Sequence, residues 1–378
     1  MDKIYLDHAS TTSVHPQVAQ TMVDQMQEHF GNPSNIHSFG RDAKAELNKA
    51  RKLIGKHLSA SPDSFIFTSG GTESDNLAVL GCALSAQEKG RHIITTEIEH
   101  LAVLNSCRQL EQMDYEITYL PVNEKGRVNI SDVKEAVRHD TVLISIMYGN
   151  NEVGTVQPVK EVGRFAEQND IVFHTDAVQA LGTVDINIRE LPANLISFSS
   201  HKVGGPKGVG CLYAEADLQP LLFGGQQQRQ LRPGTENVPG TAGFALAVKM
   251  VCESMTKRRR NYEKFRQLML DVLDEQGVSH AVNGHLQHYL PHILNISFPD
   301  IKADVLVKNL DLQGIAVSTG SACTAGTVQP SHVVTAMHGA KRASSAVRFS
   351  FGRSNTARQV EKAALTTAGI IRRLREGK

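Results

Sequence analysis

Short apolar segments alternate with helical patterns from residue 65 to residue 213, and this alternation is the strongest constraint on the fold. Strands separated by helices pair mainly in parallel with right-handed crossovers, because each helix returns the chain to the same edge of the sheet. The predicted class is therefore α/β, with a mainly parallel sheet flanked by helices. The strand candidates are Phe65–Thr68, His92–Thr95, Glu116–Leu120, Thr141–Tyr148, Ile171–His174, Leu195–Ser199 and Val209–Tyr213.

The C-terminal part of the chain has a different organisation. One long helix is predicted from Thr241 to Leu273, followed by three strands and a last helix that begins at Thr356. The length of 378 residues allows two or three domains. We expect a large domain of residues 16–255 and a smaller α+β domain of residues 1–15 and 256–378. The strands of the smaller domain are His292–Ser297, Ile315–Ser318 and Ala346–Ser350.

A lysine follows one of the apolar strands directly. Leu195–Ser199 ends in hydroxyl side chains, and His201 and Lys202 come next, before a turn rich in glycine. Burial disfavours the ammonium form of lysine, so an amine in this position becomes nucleophilic enough to form a Schiff base with an aldehyde cofactor. A surface lysine at a strand end is the alternative. The turn does not match a P-loop, because the chain has no G-x-x-x-x-G-K-[ST] pattern.

Two further strand ends carry groups that an aldehyde cofactor such as pyridoxal phosphate needs. Asp176 follows the strand at Ile171, and a carboxylate there suits the pyridine nitrogen of the cofactor, although Asp176 could equally cap a helix. Gly70, Gly71 and Thr72 follow the strand at Phe65 and begin a helix. Free amide groups at a helix start bind phosphate, and a plain helix cap is again the alternative.

Cys323 stands among small residues, in the order Ser-Thr-Gly-Ser-Ala-Cys-Thr-Ala-Gly, within the smaller predicted domain. Such a setting favours an accessible, reactive thiol, and a free cysteine in a surface loop is the alternative. The five cysteines are odd in number and lack a C-x-x-C pair, which indicates reduced thiols and neither a disulfide framework nor a metal site. The remaining four are predicted to be packing residues: Cys82, Cys107, Cys211 and Cys252.

Charge and hydropathy exclude several classes of partner. Forty basic and thirty-nine acidic residues leave a net charge of +1, which provides no overall field for nucleic acid or an anionic membrane. The N-terminus has no apolar signal region, and no run approaches the length of a membrane span. We therefore expect a cytoplasmic protein without direct nucleic-acid or membrane binding, so that any role in tRNA modification runs through a partner protein.

In combination these motifs resemble the NifS/IscS-type cysteine desulfurases, which are pyridoxal-phosphate enzymes of fold type I in the class V aminotransferase group. The resemblance covers essentially the whole chain, and the Cys323 segment is similar to group I of that family. Gly204 departs from the tyrosine that is common there, and Thr319 departs from a serine. The matching segments are Ile4–Ala9, Gly31–His37, Thr68–Leu77, Glu99–His100, Asn150–Gly154, His174–Gln179, Ser199–Lys202, Arg232–Asn237 and the Cys323 segment.

The resemblance implies a role for each matching residue. Lys202 is expected to bind pyridoxal 5'-phosphate covalently, Asp176 to pair with the ring nitrogen, and His100 to stack on the ring and move protons. Cys323 is expected to take the substrate sulfur as a persulfide. The ring hydroxyl is assigned to Asn151 and Gln179, the phosphate to Gly71, Thr72, Ser199 and His201 with Thr235 from the second subunit of a homodimer, and the substrate carboxylate to Asn151 and Arg353.

The implied reaction converts L-cysteine to L-alanine and delivers sulfur to an acceptor protein, either a tRNA thiouridylase or an iron–sulfur scaffold. The sequence around Met147–Asn151 and Gly234–Pro239 is similar to that of Gram-positive desulfurases that work beside a tRNA thiolation enzyme. The alternatives are a selenocysteine lyase or another class V enzyme in which Cys323 is dispensable, and a non-catalytic sulfur carrier or scaffold-binding protein.

Overall fold

A computed structural model describes residues 3–320 and 330–376. Within these ranges the strands are β1 (Ile4–Tyr5), β2 (Phe65–Thr68), β3 (His92–Thr96), β4 (Glu116–Leu120), β5 (Thr141–Ser145), β6 (Val172–Asp176), β7 (Leu195–Ser199), β8 (Gly210–Ala214), β9 (Ala281–Asn283), β10 (Ile293–Ser297), β11 (Ile315–Ala316) and β12 (Ala346–Ser350). The helices are α1 (Pro16–Glu28), α2 (Ser38–Leu58), α3 (Gly71–Ser85), α4 (Leu101–Glu111), α5 (Ile130–Ala136), α6 (Val159–Gln168), α7 (Val238–Glu253), α8 (Met255–Glu275), α9 (Ala303–Leu312), α10 (His332–His338), α11 (Ala340–Ala343) and α12 (Ala357–Glu376).

The main sheet has seven strands in the order β2-β8-β7-β6-β5-β3-β4. Its neighbours pair in parallel, except that β8 runs antiparallel to both β2 and β7. The mainly parallel α/β sheet predicted from the sequence is therefore confirmed, with each of the seven strands close to its expected position. Because β5, β6 and β7 are adjacent and parallel, their carboxyl ends meet at one edge of the sheet.

Helices cover both faces of this sheet, so its strands are apolar on both sides. Consecutive residues point to opposite layers. Ile93 packs in the core with α3 and α4, whereas its neighbour Ile94 packs in the core with α1, α2 and α7. Leu195 and Ile196 divide in the same way. Because both faces of each strand are buried, the strands are continuous apolar runs in the sequence and do not alternate between apolar and polar residues.

A smaller antiparallel sheet, β12-β10-β9, packs with α8, α9 and α12 around its own apolar core. The N-terminal strand β1 pairs in parallel with β11, and Leu6 is buried in the same core. The N-terminal segment thus joins the smaller sheet at its start. Its later residues turn toward the main sheet, where Thr12 and His15 hydrogen-bond to the backbone of His201 and Gly204.

The single helix predicted from Thr241 to Leu273 is wrong, because the chain forms two helices, α7 and α8, that meet at Ser254. Ser254 has a backbone ψ of 2°, outside the helical range, and its hydroxyl donates a hydrogen bond to the carbonyl of Met250 at 2.5 Å. A serine that bonds to the carbonyl four residues earlier bends a helix. The apolar pattern continues on both sides of the bend, which is why the sequence does not reveal it.

Among the described residues, no helix combines the length and the apolar character that crossing a bilayer would require.

Replacing Phe173 with alanine tests how strongly the strand that ends in Asp176 depends on core packing. Phe173 is fully buried and is the second residue of β6. Phe173→Ala should lower the free energy of unfolding by about 3–5 kcal/mol, measured by urea denaturation. The control is Leu312→Ala, at a side chain that is 78% exposed, which should change stability by less than about 0.5 kcal/mol. Equal effects of the two substitutions would contradict the packing described here.

Candidate active site

The carboxyl ends of β6 and β7 bring the predicted acid and the predicted lysine to one edge of the sheet. Asp176 is the last residue of β6 and lies opposite Ser197 of β7 in the parallel register. The chain leaves β7 at Ser199 and forms a short 3₁₀ turn, Ser200–Lys202. Parallel pairing therefore sets Asp176, Ser199 and Lys202 at the same end of two neighbouring strands.

The Lys202 amine is held by the N-terminal segment. Its Nζ donates hydrogen bonds to the carbonyl oxygens of Ala9 and Ser10, each at 2.7 Å. The side chain is partly buried, as the sequence argument requires of a reactive lysine. The segment itself is fixed by Thr12, whose hydroxyl donates to the carbonyl of His201 at 2.7 Å and accepts from the amide of Gly204 at 2.8 Å.

Asp176 and His100 are the two coupled titratable groups of the site. Burial raises the pKa of the Asp176 carboxyl, and the nearby His100, the Val178 amide at 2.8 Å and Lys202 oppose this rise. Burial lowers the pKa of His100, against the effect of Asp176. The Nδ1 of His100 accepts a hydrogen bond from the amide of Ala102 at 3.1 Å and caps α4, so the neutral imidazole carries its proton on Nε2.

The start of α3 offers an anion site beside these residues. The N-cap residue is Gly70, which provides no side-chain hydrogen bond, so the first amides of the helix are available to a ligand. A Cβ on Gly71 would stand 2.9 Å from a methyl of Val178 and 3.5 Å from Cβ of Ser199. Gly71 thus lets α3 approach the ends of β6 and β7, while Thr72 beside it is exposed.

His201 directly precedes Lys202 in the 3₁₀ turn. Its Nδ1 is hydrogen-bonded to the hydroxyl of Thr11 at 3.1 Å. Burial lowers its pKa to about 4, with further lowering from Lys202 and Lys207. The imidazole is therefore neutral at pH 7. A neutral ring can donate a hydrogen bond to an anion without adding a buried charge.

Asn151 and Gln179 are placed by different contacts. The carbonyl of Asn151 accepts a hydrogen bond from Nη1 of Arg348 at 2.8 Å. The amide of Gln179 donates to the carbonyl of Ala9 at 2.8 Å, and its Oε1 lies 3.3 Å from Nε2 of His292. Since Ala9 also accepts from Lys202, the N-terminal segment connects Gln179 to the lysine.

The last three predicted residues differ in their relation to this cluster. Arg353 is exposed in the turn after β12 and lines a cavity of about 910 Å³ together with Lys202 and Gln179. Thr235 is exposed in the loop before α7. Cys323 lies outside the described residues.

Comparisons with known proteins agree with this geometry. Residues 4–363 match the family described as Aminotransferase class-V. A relative from Bacillus subtilis (strain 168), named "Putative cysteine desulfurase IscS 1", is 50% identical over 378 residues and covers 99% of this chain and 100% of its own length.

The chain belongs to the class-V aminotransferase family.

Two solved structures resemble this family member along nearly its whole length. One, a "NIFS-LIKE PROTEIN", has a TM-score of 0.92 and 35% identity, and the match covers 98% of this chain and 100% of the other. The second, "SspA in complex with cysteine", has a TM-score of 0.81 and 34% identity, with coverage of 93% and 99%. The resemblance predicted from the sequence is confirmed, and so is the expected fold.

Sequence reasoning missed a buried ion pair beneath the site of this class-V enzyme. Arg348, in the middle of β12, is 3% exposed, and its Nη2 lies 2.7 Å from Oδ1 of Asp7. The same guanidinium holds the carbonyl of Asn151. A single arginine inside the apolar run of β12 is the signal that could have indicated a buried pair, because an arginine there is costly without a partner.

His8 is the second missed residue. Both ring nitrogens are buried, and burial lowers the pKa of His8 to about 4. A Cβ on Gly352 would lie 2.2 Å from Nδ1 of His8, so glycine is required for the ring to pack against the chain just before Arg353. His8 also lines the cavity that contains Lys202.

The four described cysteines fit the packing role predicted for them. Cys82, Cys107 and Cys211 are buried, and Cys252 is half-buried. Burial raises the thiol pKa to about 12 for Cys82 and Cys107 and to about 11 for Cys252. Thiols with such pKa values are poor nucleophiles at neutral pH.

A buried polar network is centred on the same strand as Asp176. His174, two residues earlier on β6, contacts the hydroxyls of Ser145 at 2.8 Å and Ser197 at 3.0 Å. Oδ1 of Asp75 lies 3.7 Å from Nε2 of His174. Burial alone lowers the pKa of His174 to about 3, so this ring stays neutral and links three strands and α3 without a charge.

The depressed pKa of His174 predicts how its contribution to stability depends on pH. Its folded pKa lies below that of the unfolded chain, so the contribution is complete above about pH 6.5 and is lost as the pH falls toward 3. The free energy of unfolding of the native enzyme, relative to His174→Gln, should fall by up to about 1.4 kcal/mol per pH unit between pH 6 and 4. Urea titrations at several pH values measure this difference, and a difference that does not vary with pH would mean that His174 titrates normally.

Proposed function

We propose that this chain is a cysteine desulfurase that converts L-cysteine to L-alanine and transfers the sulfur to Cys323 as a persulfide. The observation that carries the proposal is the meeting of Asp176 and Lys202 at the ends of the adjacent strands β6 and β7, with His100 at the start of α4 close enough to influence the Asp176 carboxyl. It is supported by full-length relatives that are named cysteine desulfurase, such as the one from Bacillus subtilis. A related structure described as a complex with cysteine supports cysteine as the substrate.

The residues at these strand ends suit pyridoxal 5'-phosphate. The uncapped start of α3 at Gly71 and Thr72, with Ser199 and the neutral His201, would hold its phosphate. The Asp176 carboxyl, whose charged form burial disfavours, would regain that charge beside a protonated ring nitrogen. Lys202 would bind its aldehyde carbon, and Asn151 and Gln179 would hydrogen-bond the ring hydroxyl. When bound, the cofactor supplies an electron sink for the bonds at the substrate Cα.

The protein side chains then have separate tasks. Arg353 binds the substrate carboxylate through two parallel hydrogen bonds, with Asn151 beside it. The lowered pKa of His100 keeps its imidazole neutral at pH 7, so that it can accept a proton near the reacting atoms. Lys202, when its amine is free, would be a second group able to move the Cα proton.

Sulfur transfer is a nucleophilic displacement at the substrate sulfur. The Cys323 thiolate forms an S–S bond while the Cβ–S bond of the substrate breaks. The electron pair of the broken bond goes to the carbon side, where proton uptake gives alanine. Cysteine and the Cys323 thiol are thereby converted to alanine and the Cys323 persulfide, with no other reactant.

The alternative within the family is a selenocysteine lyase or transaminase, in which Cys323 would be dispensable. Full sulfide production by Cys323→Ala would favour that alternative. A non-catalytic sulfur carrier would bind no cofactor at Lys202. The intact set of Lys202, Asp176 and His100 at one sheet edge favours an enzyme.

We infer that the enzyme is a homodimer in which Thr235 completes the phosphate site of the partner subunit. Exposed apolar side chains support this arrangement, because Ile36 is 92% exposed and Phe223 is 87% exposed. Contiguous apolar surface marks protein interfaces. Gln227 in the Thr235 loop hydrogen-bonds to Ser34 at 3.4 Å, which places this loop beside the segment that carries Ile36.

We further propose the division into a large domain of residues 16–255 and a smaller domain of 1–15 and 256–378, since the main sheet and the small sheet have separate apolar cores. We propose a cytoplasmic location. The sulfur acceptor is proposed to be a tRNA thiouridylase or an iron–sulfur scaffold protein, which would link the enzyme to tRNA thiolation or iron–sulfur cluster assembly.

Lys202→Ala tests the proposed cofactor anchor. The variant should lose the visible absorption of the covalently bound cofactor and all alanine formation, because it lacks the amine that is hydrogen-bonded to Ala9 and Ser10 and is proposed to bind the cofactor. Lys207→Ala is the matched control, since Lys207 lies in the same turn but is exposed. Absorption spectra and alanine assays measure both effects, and normal turnover by Lys202→Ala would refute the assignment.

Mixed dimers test the shared site. A hybrid of a Thr235→Ala chain and a Lys202→Ala chain contains one site with both native residues and one site with neither. Co-expressed hybrids, with their composition verified by native mass spectrometry, should therefore form alanine faster than either variant alone. Activity that stays at the level of the parent variants would contradict a contribution of Thr235 to the partner's site.

A further inference from the structure

Glu152 is a buried carboxylate that none of the roles above uses. It follows Asn151 directly and is 2% exposed. Its amide donates to Oδ1 of Asn150 at 2.8 Å, and its carbonyl accepts from Nδ2 of Asn295 at 3.1 Å. The backbone of Glu152 is therefore fixed on both sides, and its carboxylate has a defined position beside the active site.

One oxygen of this carboxylate lies against both ends of the segment that carries Cys323. The hydroxyl of Ser331 donates a hydrogen bond to Oε2 of Glu152. A Cβ on Gly320 would stand 2.4 Å from the same Oε2, and Gly320 has a φ of +88° that favours glycine. Gly320 and Ser331, on the two sides of positions 321–329, thus both lie against Oε2 of Glu152.

The two ends are also secured by contacts of their own. The amide of Gly320 donates to the hydroxyl of Ser318 at 3.1 Å. Ser331 caps α10 by accepting from the amide of Val334 at 3.0 Å. His332 reaches the carbonyl of Glu99 through Nε2 at 3.0 Å, while its Nδ1 lies 3.9 Å from Oε1 of Glu152. Glu152 therefore contacts described residues that already have fixed positions on the C-terminal side of position 329, and it lies against Gly320 on the N-terminal side of position 321.

This arrangement lies beside the reacting groups. Gly320, Pro330 and Glu152 line one cavity of about 680 Å³ together with His100 and Asn151. A buried carboxylate costs free energy unless hydrogen bonds compensate it, and the Ser331 hydroxyl supplies such a bond. Its position next to Asn151 and against both Gly320 and Ser331 suits a positioning function.

We propose that Glu152 is the positioning residue for Cys323: it holds Ser331 by a hydrogen bond and packs against Gly320 at the cavity that contains His100, and so fixes the described residues on both sides of the Cys323 segment. The inference rests on the proposed function and adds a residue that touches neither substrate nor cofactor. A displacement of about 1 Å between reacting groups can cost a factor of about 100 in rate. Loss of the anchor therefore affects the sulfur-transfer step and spares the steps at Cα.

The experiment compares two readouts in the cofactor-loaded enzyme. Alanine formation in a single turnover requires attack by Cys323, whereas exchange of the Cα hydrogen of cysteine with deuterium from solvent does not. Glu152→Ala should slow alanine formation by about tenfold to a hundredfold and leave Cα exchange and cofactor content unchanged. Glu152→Gln keeps an oxygen that accepts from Ser331 and should recover most of the rate.

Ser331→Ala removes the contact with Glu152 and also the N-cap bond of α10, so its loss of alanine formation should add little to that of Glu152→Ala, whereas its loss of stability should be separate. The matched control is Ser64→Ala, which removes a serine–carboxylate hydrogen bond to Glu215 beside β2 and β8 of the main sheet. It should leave the rates of alanine formation and of Cα exchange unchanged.

Two outcomes would overturn the inference: normal alanine formation by Glu152→Ala, or a parallel loss of Cα exchange, which would assign Glu152 to the Asn151 side of the site. Cys323→Ala separates this result from a failure of the proposed function. If Cys323→Ala makes alanine at the native rate, the desulfurase proposal fails. If Cys323→Ala is inactive while Glu152→Ala is normal, only the positioning role fails.

Discussion

The parallel pairing of β6 with β7 is the constraint on which the rest of the site depends. With Asp176 opposite Ser197, the two strands end within a few residues of each other, and the turn after Ser199 brings Lys202 to the same edge. A slip of this register by one residue would turn Asp176 to the opposite face of the sheet. The hydrogen bonds of His174 to Ser145 and Ser197 hold three strands at this point without a buried charge.

The N-terminal segment connects the active site to the smaller sheet. β1 pairs with β11 beside the smaller sheet, and a few residues later the carbonyls of Ala9 and Ser10 accept from Lys202. The pair of Asp7 with Arg348 ties the same segment to β12, and Arg348 also holds Asn151. This short segment therefore contacts β12 of the smaller sheet at Asp7 and Ala9 and the active-site lysine at Ala9 and Ser10.

Much of this arrangement follows from the sequence because parallel strands deliver their carboxyl ends to one edge. That rule was sufficient to bring Asp176, Ser199 and Lys202 together from local patterns alone. It could not reveal the contact of Glu152 with Ser331, which are 179 residues apart and belong to no shared local pattern. The bend at Ser254 was also hidden, since a single hydroxyl bonded to the preceding turn leaves the apolar periodicity intact. Long-range contacts between polar side chains depend on the packed structure, whereas strand ends depend on the order of the elements.

The central claim is that this sheet edge delivers the sulfur of cysteine to Cys323. Its most direct test is a single turnover of the cofactor-loaded enzyme with cysteine that carries a heavy sulfur isotope, followed by mass spectrometry of the intact chain and of its peptides. The account predicts one heavy sulfur atom on Cys323, formed together with one alanine for each active site. Alanine formation with free labelled sulfide and no label on Cys323 would contradict the account.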